Sequence, residues 1–99
     1  MIPYEVRRKV YEAAIATNGI ERQVIVSIEE MAELTKELAK SFRPGGTSTE
    51  KLVDEIVDVA IMLEQLRLIF DVDMQVLEHR DVKVRRLADR IGMQFIEEG

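Results

Sequence analysis

Apolar residues recur along this chain at the three- and four-residue spacing of one helical face, and no stretch alternates as a half-buried strand does. Asn18-Gly19 ends the first periodic segment and Pro44-Gly45-Gly46 follows the second. Thr47 and Glu50 have the spacing of a capping box at the start of the third. The pattern predicts an all-α, four-helix bundle-like protomer with helices at about 4–17, 20–41, 48–70 and 73–91.

The third predicted helix is apolar around most of its circumference, yet it contains two carboxylates, Glu55 and Asp58. Residues three apart share a helix face, and this face also carries Met62, so we expect both acids to point inward. An ionised carboxylate buried without a partner costs several kcal/mol or more. The missing partner is therefore a cation, either a metal ion or a basic side chain, and Lys51 is the basic residue near them on that helix.

A second acidic pair with the same spacing, Glu30 and Glu33, lies on the second predicted helix. Glu33 comes about 11 residues before Pro44 and Glu55 about 11 residues after it, so the two pairs should stand at similar heights in an antiparallel hairpin. Facing pairs would give a site lined only by oxygen atoms. Such ligands favour Mg²⁺, with Mn²⁺ as the other candidate.

Other metal centres fit the sequence poorly. A di-iron bundle needs Glu-x-x-His on two helices, but the only histidine, His79, has Val76 three residues before it. The chain has no cysteine and no second histidine, which argues against a zinc site.

Size and charge restrict the partners. A chain of 99 residues with 46% hydrophobic residues is expected to form one domain that needs further copies to bury a sizeable core, as a homodimer or homotetramer. The net charge of −5 argues against nucleic-acid and anionic-membrane binding. With no apolar run long enough for a signal peptide or a membrane span, we expect a cytoplasmic protein.

The order Glu29-Glu30-x-x-Glu33, 21 intervening residues, then Glu55-x-x-Asp58 resembles the EExxE…ExxD signature of the MazG-like all-α nucleoside triphosphate pyrophosphohydrolases. The resemblance implies that Glu30, Glu33, Glu55 and Asp58 bind Mg²⁺ and form the catalytic centre. It implies hydrolysis of a nucleoside triphosphate between the α and β phosphates, giving the monophosphate and pyrophosphate.

The resemblance also extends to substrate-binding residues on the last helix. Lys83 and Arg90 match the lysine and arginine that the family tends to use to hold the triphosphate; Leu87 stands where an asparagine is usual, and Arg86 is a possible substitute. Gln23, two turns before Glu30 on the same line, is a candidate contact to the base. The alternative to an enzyme is a non-catalytic helical dimerisation or regulatory module with the same fold.

Overall fold

The computed structural model describes residues 1–94, which form four α-helices and no strand. The helices are α1 (Tyr4–Asn18), α2 (Ile20–Lys40), α3 (Thr49–Ile69) and α4 (Asp73–Arg90). The predicted all-α architecture is confirmed, with every helix end within one residue of its predicted position. In the described part of the chain, none of these helices combines the length and apolar character that crossing a membrane requires.

A tight loop reverses the chain between α2 and α3. Gly45 adopts a φ of 65°, which favours glycine, and a Cβ at Gly46 would collide with the carbonyl oxygen of Lys40. Ser48 is the N-cap of α3, because its Oγ accepts a hydrogen bond of 3.1 Å from the backbone N–H of Lys51. The prediction that Thr47 caps this helix is wrong by one residue: its hydroxyl lies 3.4 Å from Glu37 Oε1 and donates to it.

The inward faces of α2 and α3 meet in a mostly polar line, which we call the seam. Ser27 is only 1% exposed and Glu55 only 4%, and their neighbours along the seam are also buried or half-buried. The seam consists of Gln23, Ser27, Glu30 and Glu37 on α2 and of Glu55, Asp58, Met62 and Gln65 on α3. A single chain thus buries polar groups where a helical hairpin usually buries apolar ones.

Most large apolar side chains lie on the outside instead. Ile28 on α2 is 58% exposed and Ile56 on α3 is 52% exposed, whereas the fully buried apolar residues among those described are Tyr11, Met62 and Ala88. The chain exposes 7843 Å², although a compact monomer of this mass exposes about 5,800 Å². The radius of gyration is 16.7 Å, against about 13 Å for a compact chain of this length. The four helices therefore do not enclose an apolar core of their own.

Ionic contacts attach α1 and α4 to α3. Arg7 donates to both carboxylate oxygens of Glu64, at 3.1 and 3.0 Å, and Tyr11 donates to Glu64 Oε1 at 2.6 Å. At the far end of α3, Arg67 donates to Asp73 Oδ1 at 2.7 Å. Hydrogen bonding from Arg7 lowers the pKa of Glu64, although partial burial opposes the shift.

We expect Glu64→Gln to destabilise the protein at pH 7 by about 1 kcal/mol or more, because it removes the charge that Arg7 and Tyr11 bind. A carboxyl whose pKa is lower in the folded than in the unfolded chain stabilises the protein fully at pH values above its unfolded pKa of about 4.3. This stabilisation is lost as pH falls through the lowered pKa of the folded state. The difference in the free energy of unfolding between wild type and Glu64→Gln should therefore decrease below about pH 4. Urea unfolding at fixed protein concentration measures it.

The control is Glu12→Gln. Glu12 pairs with Arg8 at 2.9 Å, but both side chains are 55% exposed, so this change should have little effect at either pH. A Glu64→Gln deficit that is equally large at pH 7 and pH 3.5 would show that the residue acts through packing and not through its charge.

Candidate metal centre

Buried amides fix the register of α2 against α3. Gln23 Nε2 donates to Gln65 Oε1 at 2.7 Å, and Asn18 Nδ2 donates to Gln23 Oε1 at 3.0 Å. Both glutamines are 5% exposed, so a slip of one helix along the other would leave amide groups buried without partners. Gln23 lies about two turns before Glu30, and Gln65 the same distance after Asp58, so this pairing sets Glu30 opposite Asp58.

Three carboxyl groups meet across the seam. Glu30 of α2 and Glu55 and Asp58 of α3 each offer an oxygen within 4.8 Å of the others. Glu55 is buried, and Glu30 and Asp58 are half-buried. The structure thus brings together three of the four carboxylates that the sequence predicts to be metal ligands.

Glu55 has one oxygen paired and, as far as the described residues go, the other without a partner. Lys51 Nζ lies 2.9 Å from Oε1. Within residues 1–94, no hydrogen-bond donor reaches Oε2, which is buried. A buried acceptor left in this way costs about 1–3 kcal/mol, and more if it is charged. A cation among Glu30, Glu55 and Asp58 would satisfy it, and three carboxylate donors suit Mg²⁺ or Mn²⁺.

The electrostatics of the group agree with this interpretation. The pKa of Glu30 is raised, first because burial disfavours its charged form and then because the charges of Asp58 and Glu55 repel it. Ionisation of Glu30 is therefore disfavoured in the metal-free site. A divalent cation would relieve this repulsion.

Glu33 follows Glu30 by three residues and Glu37 follows it by seven, and the two lie in different surroundings. Glu33 is exposed and lies outside the group of three, so its role as a ligand stays a prediction. Glu37 is only 5% exposed, with Lys40 Nζ at 3.6 Å and the Thr47 hydroxyl at 3.4 Å.

The geometry of a helix explains this difference. At 100° per residue, Glu33 lies about 60° around α2 from Glu30, but Glu37 lies only about 20° away. The seven-residue spacing of Gln23, Glu30 and Glu37 was the signal in the sequence for a buried Glu37.

The predicted substrate-binding residues are not gathered at the cluster. Lys83, Arg86 and Arg90 line one open concave surface along α4. Within the described residues, α4 packs against α3 and its backbone does not approach α2. Gln23 is engaged with Asn18 and Gln65. The roles of these four residues in binding a nucleotide stay predictions.

Comparison of the chain with protein-family models, with curated proteins and with solved structures gave no match. The family resemblance therefore stays a prediction that rests on the acidic motif.

We expect Mg²⁺ or Mn²⁺ to raise the melting temperature by about 10 °C at ~100 times its dissociation constant, because the ion binds the folded chain. Asp58→Asn should abolish this shift, since it removes one of the three clustered charges. In EDTA the same variant should melt higher than wild type, because one source of repulsion is gone. Differential scanning fluorimetry measures both effects.

Asp54→Asn is the matched control, because Asp54 is exposed one turn away on the same helix. It should retain the metal-induced shift. Equal shifts in wild type and Asp58→Asn would contradict a site at the cluster. Glu33→Gln tests the fourth predicted ligand: loss of the shift would show that Glu33 joins the site when metal binds.

Proposed function

We propose that this protein is a Mg²⁺-dependent nucleoside triphosphate pyrophosphohydrolase that converts a (d)NTP and water to the monophosphate and pyrophosphate. The observation that carries the proposal is the buried carboxylate of Glu55, which has an oxygen beside Glu30 and Asp58 that receives no hydrogen bond from any residue in 1–94. A helix whose only role is packing would be destabilised by a buried carboxylate oxygen of this kind. The EExxE…ExxD spacing supports the same reaction.

In this proposal Glu30, Glu55 and Asp58 hold the ion, and Glu33 is the fourth candidate ligand. An ion held there would supply the chemistry that phosphoryl hydrolysis requires: it would neutralise phosphate charge and make water a better nucleophile. Glu37 is a candidate for taking the proton from the attacking water, since it is buried at the loop end of the same seam and outside the group of three.

The cations of α4 would neutralise the remaining phosphate charge. Lys83, Arg86 and Arg90 line one open concave surface together with Asp89, so three positive charges and one negative charge are available to a polyanion there. Since α4 of the same chain does not approach α2, these residues can serve the site only if α4 moves or if a second copy of the chain presents them.

We propose further that the protein functions as a homo-oligomer, with the outward apolar faces of α2 and α3 covered by further copies. The chain exposes 7843 Å², roughly 2,000 Å² more than a compact monomer of its mass. An excess of this size is what each partner contributes in a large obligate interface. Whether the assembly is a dimer or a tetramer follows from its mass.

The activity is tested with a panel of NTPs and dNTPs in Mg²⁺, with pyrophosphate converted by inorganic pyrophosphatase and detected as phosphate. Wild type should release pyrophosphate from at least one nucleotide, and Glu55→Gln should lower the rate at least about 100-fold by removing a metal-binding charge.

Glu50→Gln, an exposed change in the first turn of the same helix, should retain wild-type turnover. Release of no pyrophosphate from any nucleotide, or equal rates in wild type and Glu55→Gln, would favour the alternative of a non-catalytic dimerisation or regulatory module.

Sedimentation equilibrium tests the assembly. Wild type should have a mass that is a multiple of 11.4 kDa, and Ile56→Glu should shift it toward the monomer, because it places a charge where apolar surface would be covered. Lys36→Glu, which also places a carboxylate at an exposed helical position, should leave the mass unchanged. A wild-type mass of 11.4 kDa would contradict the oligomer.

A further inference from the structure

Lys51 stands at the edge of the acidic cluster. Its Nζ lies 2.9 Å from Glu55 Oε1, one turn along the same helix. The side chain of Lys51 is 49% exposed and that of Glu55 is 5% exposed, so the ammonium group reaches from solvent to a buried acid. Its backbone is fixed in the first turn of α3 by the hydrogen bond to Ser48.

Charge along the seam is only partly balanced by basic side chains. Lys40 lies 3.6 Å from Glu37, and Lys51 pairs with Glu55. Among the described residues, no basic side chain forms an ion pair with Glu30 or Asp58. When these two are ionised, the remaining charge equals that of one divalent cation.

Glu55 therefore belongs to two arrangements at once. One of its oxygens is bound by Lys51, and the other is buried beside Glu30 and Asp58 without a donor in the part of the chain that the structure describes. An ammonium group and a divalent cation that share one carboxylate repel each other, and the repulsion is strong where solvent is largely excluded. Each must weaken the binding of the other, because such coupling is reciprocal.

We propose that Lys51 is the internal counter-ion of Glu55: it stabilises the metal-free seam and lowers the affinity of the cluster for divalent cations. Lys51 is then a residue that sets how much metal is needed to fill the site, and it has no contact with the reacting atoms. The inference rests on the proposed metal site and not on the nucleotide chemistry.

The test uses the full chain and Mn²⁺ alone, without nucleotide. Free Mn²⁺ is measured by electron paramagnetic resonance during titration of wild type and Lys51→Met, which retains the apolar stem and removes the charge. We expect Lys51→Met to bind Mn²⁺ about tenfold more tightly. In EDTA it should melt lower than wild type, so that its metal-induced rise in melting temperature is larger.

Two controls separate this role from a general effect of charge. Lys51→Arg keeps a cation beside Glu55 and should restore wild-type affinity. Lys40→Met removes the cation beside Glu37 and should leave the affinity for Mn²⁺ close to that of wild type. Circular dichroism checks folding, and Lys51→Gln replaces Lys51→Met if the latter does not fold.

The outcomes distinguish the role of Lys51 from the existence of the metal site. Equal or weaker Mn²⁺ binding by Lys51→Met than by wild type overturns the role of Lys51 and leaves the metal site standing. Binding by the variant but not by wild type supports the proposal in its strongest form. If neither protein binds Mn²⁺, the metal site itself is wrong, and the role of Lys51 falls with it.

Discussion

The cost of burying polar groups between two helices governs this structure. Helices α2 and α3 enclose carboxylates and amides, and each needs a partner or imposes a penalty of about 1–3 kcal/mol. The amides have partners, because Gln23 donates to Gln65 and accepts from Asn18, and Gln65 donates to the sulfur of Met62. The carboxylates have partners only in part, because Lys51 binds one oxygen of Glu55 and the second is left without a donor in the described residues. A ligand would be stabilised most at this second oxygen of Glu55.

The polar seam has a direct consequence for the rest of the surface. Because the inward faces of the two long helices are occupied by polar groups, their apolar side chains lie on the outside, as Ile28 and Ile56 show. Burying them calls for contact with another surface. In the proposed homo-oligomer, the faces that would be covered belong to the same two helices that carry Glu30 and Asp58.

The ionic contacts of α3 with its other neighbours have a different character. Glu64 receives hydrogen bonds from both Arg7 and Tyr11, so its charge is fully engaged and its pKa is lowered. Glu30 has no such donor among residues 1–94, and burial raises its pKa. The pKa values of these two acids on facing helices are therefore shifted in opposite directions by their surroundings.

By itself, the sequence determined the helices and their ends, because periodicity, the Asn18-Gly19 stop and the Pro-Gly-Gly loop are local signals. It also determined that Glu55 and Asp58 face inward, since that follows from helical spacing within one apolar segment. Its prediction of the third helix's cap failed by one residue, as Thr47 and Ser48 both have cap chemistry and only the backbone path selects between them.

Only the tertiary structure decided which acids meet. Glu33 and Glu37 are equally acidic, but the rotation of α2 against α3 buries Glu37 and exposes Glu33. The choice of cation for Glu55 was also open, because both a metal ion and Lys51 fit the spacing; the folded chain places Lys51 on one oxygen and leaves the other facing Glu30 and Asp58. The seven-residue spacing of Gln23, Glu30 and Glu37 indicated a buried Glu37, but it did not show which acid would lie beside Glu55 and Asp58, because that depends on how the two helices rotate and pack against each other.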